Sequence, residues 1–133
     1  MDSLYADKRL SAIGLALGLV SREQYDAMLR KYALAEDELA RLENTHLQPN
    51  DELNALLEER GTARVENGCS LADLIRRPQI SYGDIAPYDI NRPQLPRAVI
   101  AQVEIELKYA GYIKRQLKQV EEFERMENKP LQA

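Results

Sequence analysis

A chain of 133 residues with a formal net charge of −4 has room for one domain with a modest core, and none for a cofactor domain beside a second module. Hydrophobic residues make up 44% and charged residues 30%, but one Phe and no Trp make for a thin core that suits helices better than a deep sandwich. No apolar run approaches the roughly 18 residues of a membrane span, and the start MDSLYADKRL lacks the basic-then-apolar order of a signal peptide. The chain is therefore expected to be soluble and cytoplasmic, and its acidic balance argues against indiscriminate nucleic-acid binding while leaving room for a local basic patch.

Residues 1–20 read as a first short helix, with Leu10, Ile13 and Leu17 beside Ala6 and Ala16 on one stripe and Gly18 placed as a left-handed cap. Ser21 opens a long helix over 21–48, with Gln24 completing a capping box. Along it Tyr25, Met28, Tyr32, Ala35, Leu39, Leu42 and His46 step by three and four, the spacing of a helix packed on a partner. Residues 49–95 read as short helices and loops. Leu53, Leu56 and Leu57 mark one helix that Gly61 ends, and Ser70 with Asp73 and Ser81 with Asp84 start two more that Pro78 and Pro87 cut short. A second long helix over 96–127 starts at Pro96 and carries Val99, Val103, Leu107, Ala110, Ile113, Leu117 and Val120 on one side. Residues 128–133 are a tail. The expectation is a single all-α domain over 1–133: two long antiparallel helices, several short helices packed at the base, and no sheet.

Little in this chain suits catalysis. The six glycines are scattered, with no phosphate-cradling GxGxxG or GxxxxGK[ST]. The single histidine, His46, falls at the end of the seam and reads as a packing or capping residue. Consecutive acidic pairs such as Glu121-Glu122 diverge on a helix and describe a solvated face. Cys69 has no second cysteine to pair with and no nearby histidine to share a metal, and it reads as a small loop residue before a helix start. The chain alone is expected to have no catalytic residue, no metal and no cofactor of its own.

The sharpest feature is the segment 108–116, KYAGYIKRQ. At 100° per residue Lys108, Tyr112 and Arg115 share a face, and Gly111 opens a notch beside them. A mid-helix glycine costs about 1 kcal/mol relative to alanine, so close approach of another backbone or of a ligand is expected there. Two cations and an aromatic ring can hold phosphates and stack on a base, as single-stranded RNA requires. Equally, Glu104 lies one turn before Lys108 and can pair with it, and Tyr112 can cover a short helix. Arg76 and Arg77 form a second basic spot at a short helix's C-terminal end, where the dipole favours cations in any case.

Three stretches together resemble the C-terminal helical region of the GidA/MnmG family. They are ADKRLS at 6–11 with Gly14 and LGLV at 17–20, then GCSLADLIRRP at 68–78 with Ser81 and Tyr82, and QVEIELKYAGYIKRQ at 102–116. The resemblance implies a piece of an FAD-dependent enzyme that uses NADH and a folate one-carbon donor to modify the wobble uridine of transfer RNA. It further implies a homodimer working with the GTPase MnmE, with this helical region binding tRNA and that GTPase. Relative to such an enzyme the chain lacks the FAD domain and the extreme C-terminal subdomain. On that reading Lys108, Tyr112, Arg115, Arg76 and Arg77 contact RNA, with Gly111 giving clearance to the ribose-phosphate chain. The alternative is a purely structural helical hairpin acting as spacer or dimerisation element.

Overall fold

The computed structural model describes the backbone of residues 3–127 and the side chains of residues 8–127. The all-α class holds: the described residues form five α-helices, of which two are long. The tail at 128–133 and the side chains of Ala6 and Asp7 lie outside the described residues.

Helix α1 (Ser3–Ala16) ends in a Schellman turn, in which Gly18 at φ 74° lets the Leu19 amide reach the Gly14 carbonyl at 2.8 Å. The chain doubles back into α2 (Arg22–Asn44), started by the expected capping box of Ser21 and Gln24. Lys8 of α1 meets Glu36 of α2 at 2.9 Å. The stripe Leu10, Ile13 and Leu17, expected to be core, is instead exposed, because α1 turns its other side to α2.

Helix α2 ends earlier than the expected residue 48. Thr45 Oγ1 and Asn44 Nδ2 donate to the carbonyls of Arg41 and Ala40 at 2.7 and 2.8 Å, closing the last turn. The chain then extends into β1 (His46–Leu47), which pairs antiparallel with β2 (Cys69–Ser70), His46 opposite Ser70. Two expectations are corrected here: a small two-stranded sheet exists, and His46 is an exposed strand residue, not the end of a helical seam. A pair of two-residue strands is too short to leave an alternating pattern in the sequence.

Helix α3 (Asp51–Glu59) is capped by Asn50, whose side chain accepts from the Leu53 amide, and ends in a second Schellman turn at Gly61, φ 74°. Buried Asn54 then grips the returning loop, accepting from the Val65 amide at 2.8 Å and donating to its carbonyl at 3.2 Å. Ser70 closes β2 and caps the short α4 (Leu71–Ile75), accepting from the Asp73 amide at 3.0 Å. The second short helix expected here is not α-helical. Ser81 and Asp84 do exchange amide-to-side-chain bonds, but the segment with Pro87 makes only a single 3-10 turn, Ala86–Tyr88.

Helix α5 (Arg97–Glu127) packs chiefly on α2, with α4 against both. Val99, Val103 and Leu107 join Leu42, Leu53, Leu57, Leu74, Ile75, Ile80 and Ile85 in one core. Burial on α5 stops at Gly111, so Ala110, Ile113, Leu117 and Val120, expected on the seam, lie outside the core. Periodicity identifies an apolar stripe but not how far along the helix a partner covers it.

Candidate nucleic-acid interface

The structure brings the two basic spots together. Helix α4 ends against the middle of α5, and the carbonyl oxygen of Arg76 sits directly over Gly111. A Cβ there would overlap that oxygen, and Arg115 Nη1 approaches the same oxygen at 3.5 Å. The notch expected to clear a ribose-phosphate chain is thus filled by the protein's own backbone. Gly111→Ala is expected to destabilise the fold by roughly 1–3 kcal/mol, because overpacking against a fixed carbonyl outweighs the gain of about 1 kcal/mol in helix propensity. Urea denaturation measures the sign.

Lys108 was expected to show its charge to solvent, and here too the structure differs. Its Nζ donates to the carbonyls of Ile75 and Arg77, each at 2.5 Å, and to that of Ile80. An ammonium has three protons, and all three are used, one on the last carbonyl of α4 and two on carbonyls of the turn that follows it. Burial lowers the Lys108 pKa, while Glu104 and Asp84 act in the opposite direction. Glu104 itself accepts from the Tyr82 amide at 2.6 Å. The lysine stem is long enough to carry the charge from α5 into the neighbouring turn, so helical-wheel geometry misplaces its head.

The arginines are similarly engaged. Arg76 pairs with Asp73 at 2.5 Å and with Glu43 of α2, and Arg77 donates to the Ala63 carbonyl at 2.5 Å and to Thr62 Oγ1 at 3.2 Å. Tyr112, by contrast, is 52% exposed, and Arg115, Lys114 and Lys118 are exposed on the same projecting half of α5. Of the five residues singled out for RNA contact, Tyr112 and Arg115 present themselves outward, and Lys108, Arg76 and Arg77 hold the platform beneath.

A cluster that the sequence did not reveal lies between α2 and the loop before α5. Arg41 bridges two buried carboxylates, Glu38 at 2.6 and 2.9 Å and Asp89 at 2.8 and 2.7 Å. Arg92 bonds Asp89 at 2.9 Å and lies over the Tyr82 ring, 3.7 Å from its centre. The Tyr82 hydroxyl donates to Glu38 at 2.5 Å and closes the ring of contacts. A glutamate within the apolar stripe of α2, at position 38 between Ala35 and Leu42, is the one signal the sequence offered.

Burial and the bond to Glu38 push the Tyr82 phenol up to about 12 from an ordinary 10.0. The protonated form is the one the fold favours, so this contribution to stability is full below pH 10 and is lost as pH rises from 10 towards 12. Titration followed by phenolate absorbance is expected to show a late-ionising component that is absent in Tyr82→Phe. The Cys69 thiol is also pushed up, chiefly by burial, which makes it a poor nucleophile at neutral pH.

Among the described residues no group of three or more His, Cys, Asp and Glu side chains is placed to hold a metal, and no helix is long and apolar enough to cross a membrane. A flavin or nicotinamide pyrophosphate binds free amides at a glycine-rich helix start. At the starts of α2, α3 and α4 the side chains of Ser21, Asn50 and Ser70 already accept from such amides.

Residues 22–117 match the family model described as the tRNA modifying enzyme MnmG/GidA C-terminal helical domain. The chain is 45% identical over 126 residues to the tRNA uridine 5-carboxymethylaminomethyl modification enzyme MnmG of Caldicellulosiruptor saccharolyticus, which covers 95% of this chain and 20% of that protein. It is 44% identical over 126 residues to the protein of the same name from Enterococcus faecalis, with 93% and 20% covered. The solved structure of Aquifex aeolicus GidA superposes with a TM-score of 0.60 at 25% identity, over 93% of this chain and 18% of that one. The chain spans about a fifth of the length of the curated relatives it matches.

Proposed function

Because the chain belongs to the MnmG/GidA C-terminal helical domain family, we propose that it is the tRNA- and partner-binding helical module of an enzyme adding a carboxymethylaminomethyl group to the wobble uridine of tRNA. In this proposal FAD and NADH are bound by other parts of that enzyme, which acts in the cytoplasm as a homodimer with the GTPase MnmE. The observation that carries the reading is the family match, which spans α2 to the middle of α5 and includes the platform beneath Tyr112 and Arg115.

Tyr112 stacks on an unpaired base, and Arg115 neutralises a phosphate next to it. Lys108, Arg76 and Arg77 act indirectly, by fixing the end of α4 against α5 so that the two exposed groups keep their spacing. A second reading, the structural hairpin that spaces or dimerises another domain, is favoured by the internal engagement of Lys108, Arg76 and Arg77.

Transfer-RNA binding by the 133-residue chain across a salt series separates the two. Arg115→Ala is expected to weaken binding and flatten the salt slope by about 0.7 for a single-strand contact or about 0.9 for a duplex one. Tyr112→Ala is expected to cost roughly 1–3 kcal/mol with little change in slope. Variants that fold and bind like the parent leave the structural reading standing.

A further inference from the structure

We propose that the outward face of α1 is the surface on which the part of the enzyme preceding this domain docks, so that α1 joins the helical module to the rest of the protein. This rests on the reading of the chain as one module of a larger enzyme, and it is independent of any contact with RNA.

Leu10, Ile13, Leu17 and Leu19 are 68, 56, 68 and 78% exposed. At 100° per residue the first three fall within about 60° of one another, and Leu19 follows in the turn just beyond. Residues 10–20 carry no charge, and Ser11 is their only polar side chain, in a chain of which 30% is charged. A single exposed leucine is ordinary, but four large apolar side chains on a short neutral segment make a patch. The patch is also held in place. On the inner side of α1, Lys8 pairs with Glu36 of α2 at 2.9 Å, and further along Gly14 is buried against Val20, where a Cβ would overlap the valine side chain. The apolar side chains thus stand on a fixed helix, preorganised for a partner.

The chemistry of the face and the layout of the family select the occupant. A nucleic acid is held by several cations, and among the described residues Arg9 is the only charged side chain exposed on α1. A helix lying on a lipid surface carries lysines and arginines around its apolar side, whereas the other side of α1 is taken by α2. What fits is a neutral, apolar protein surface. The family model is by its description a C-terminal domain and starts at residue 22, after α1. The chain spans about a fifth of its curated relatives, so in those proteins most of the polypeptide precedes the domain. Helix α1 is the element nearest to that part along the chain, and elements consecutive in sequence are usually neighbours in space.

Amide hydrogen exchange, compared between the 133-residue chain and the full-length enzyme, tests this. Residues 10–19 are expected to exchange at least about tenfold more slowly in the full-length enzyme. Leu10→Gln with Leu17→Gln keeps neutral, helix-compatible side chains at two exposed positions. It is expected to leave the melting temperature of the 133-residue chain unchanged and to abolish the slowing in the full-length enzyme. Equal exchange in the two proteins overturns the proposal, as does slowing that survives the double substitution, or a 133-residue double variant that melts lower than its parent. Slowing that grows with the concentration of the 133-residue chain alone makes a second copy the occupant and overturns it as well. Transfer-RNA affinity measured on the same preparations keeps the two readings apart. Slowed exchange without RNA binding leaves the docking face standing and removes the RNA-binding reading, and RNA binding without slowed exchange removes the docking face alone.

Discussion

Arg41→Met is expected to destabilise the domain by about 3–5 kcal/mol at neutral pH, the range for removing one partner of a buried ion pair. The loss is large because of what stays behind. The side chains of Glu38 and Asp89 are only 2% and 0% exposed, and between them they accept four hydrogen bonds from this one guanidinium. Methionine fills much of the volume but leaves Glu38 to the Tyr82 hydroxyl and Asp89 to Arg92, without the cation the two carboxylates share.

The pH response separates this cause from lost packing. In the parent, the bond from Arg41 holds the Asp89 carboxyl below its ordinary 3.8, with Arg92 assisting, so its contribution is present above that value and is lost as pH falls below it. In Arg41→Met the same carboxylates are destabilising while charged, and protonation relieves them. The gap in urea midpoint between parent and variant is therefore expected to narrow as pH drops from neutral to about 4. Arg41→Lys keeps the charge without the fork and is expected to recover only part of the loss. A gap that stays constant with pH would mean that volume, not charge, is what Arg41 supplies.

Lys108→Met is expected to cost roughly 3–4 kcal/mol, since it leaves the carbonyls of Ile75, Arg77 and Ile80 without their shared donor at the end of α4. An unsatisfied carbonyl loses about 1–3 kcal/mol when water is excluded, and the sum stays below three such losses because the Arg77 carbonyl keeps the Ile80 amide at 3.2 Å and water has partial access at this edge. The change is local as well as global. Amide exchange is expected to accelerate in residues 75–80 more than in α2, because the lysine ties that turn to α5. Equal acceleration throughout the chain would show that Lys108 contributes only to overall stability.

Much of the fold was legible because its punctuation is chemical and local. Ser21 with Gln24, Ser70 with Asp73, and the glycines at 18 and 61 each form the cap or turn that their neighbours require. What could not be read depends on contacts distant in sequence. The stripe of α1 and the distal stripe of α5 have the same spacing as the buried seam, and only the presence or absence of a covering element distinguishes them. Asp89 and Arg92 lie 48 and 51 positions from Arg41, too far for any periodic pattern to join them.

The candidate site shows the same division. Gly111 was recognisable as a residue kept small for a reason, and the sequence left two occupants open, another backbone or a ligand. The structure supplies the Arg76 carbonyl. Lys108 was misread because a wheel projection places its Cβ and not its ammonium, which lies several bonds away in the turn after α4.

The seat of the Arg76 carbonyl on Gly111, with Lys108 gripping the chain on either side of it, also has a mechanical meaning. It acts as a fulcrum for α5. Beyond it run the 16 residues 112–127, an arm of about 24 Å on which no residue is buried. A tilt of about ten degrees at the seat moves the far end by about 4 Å, the reach of a side-chain contact. Any force applied near Met126 is returned, through a stiff helix, to the junction of α4 with the core.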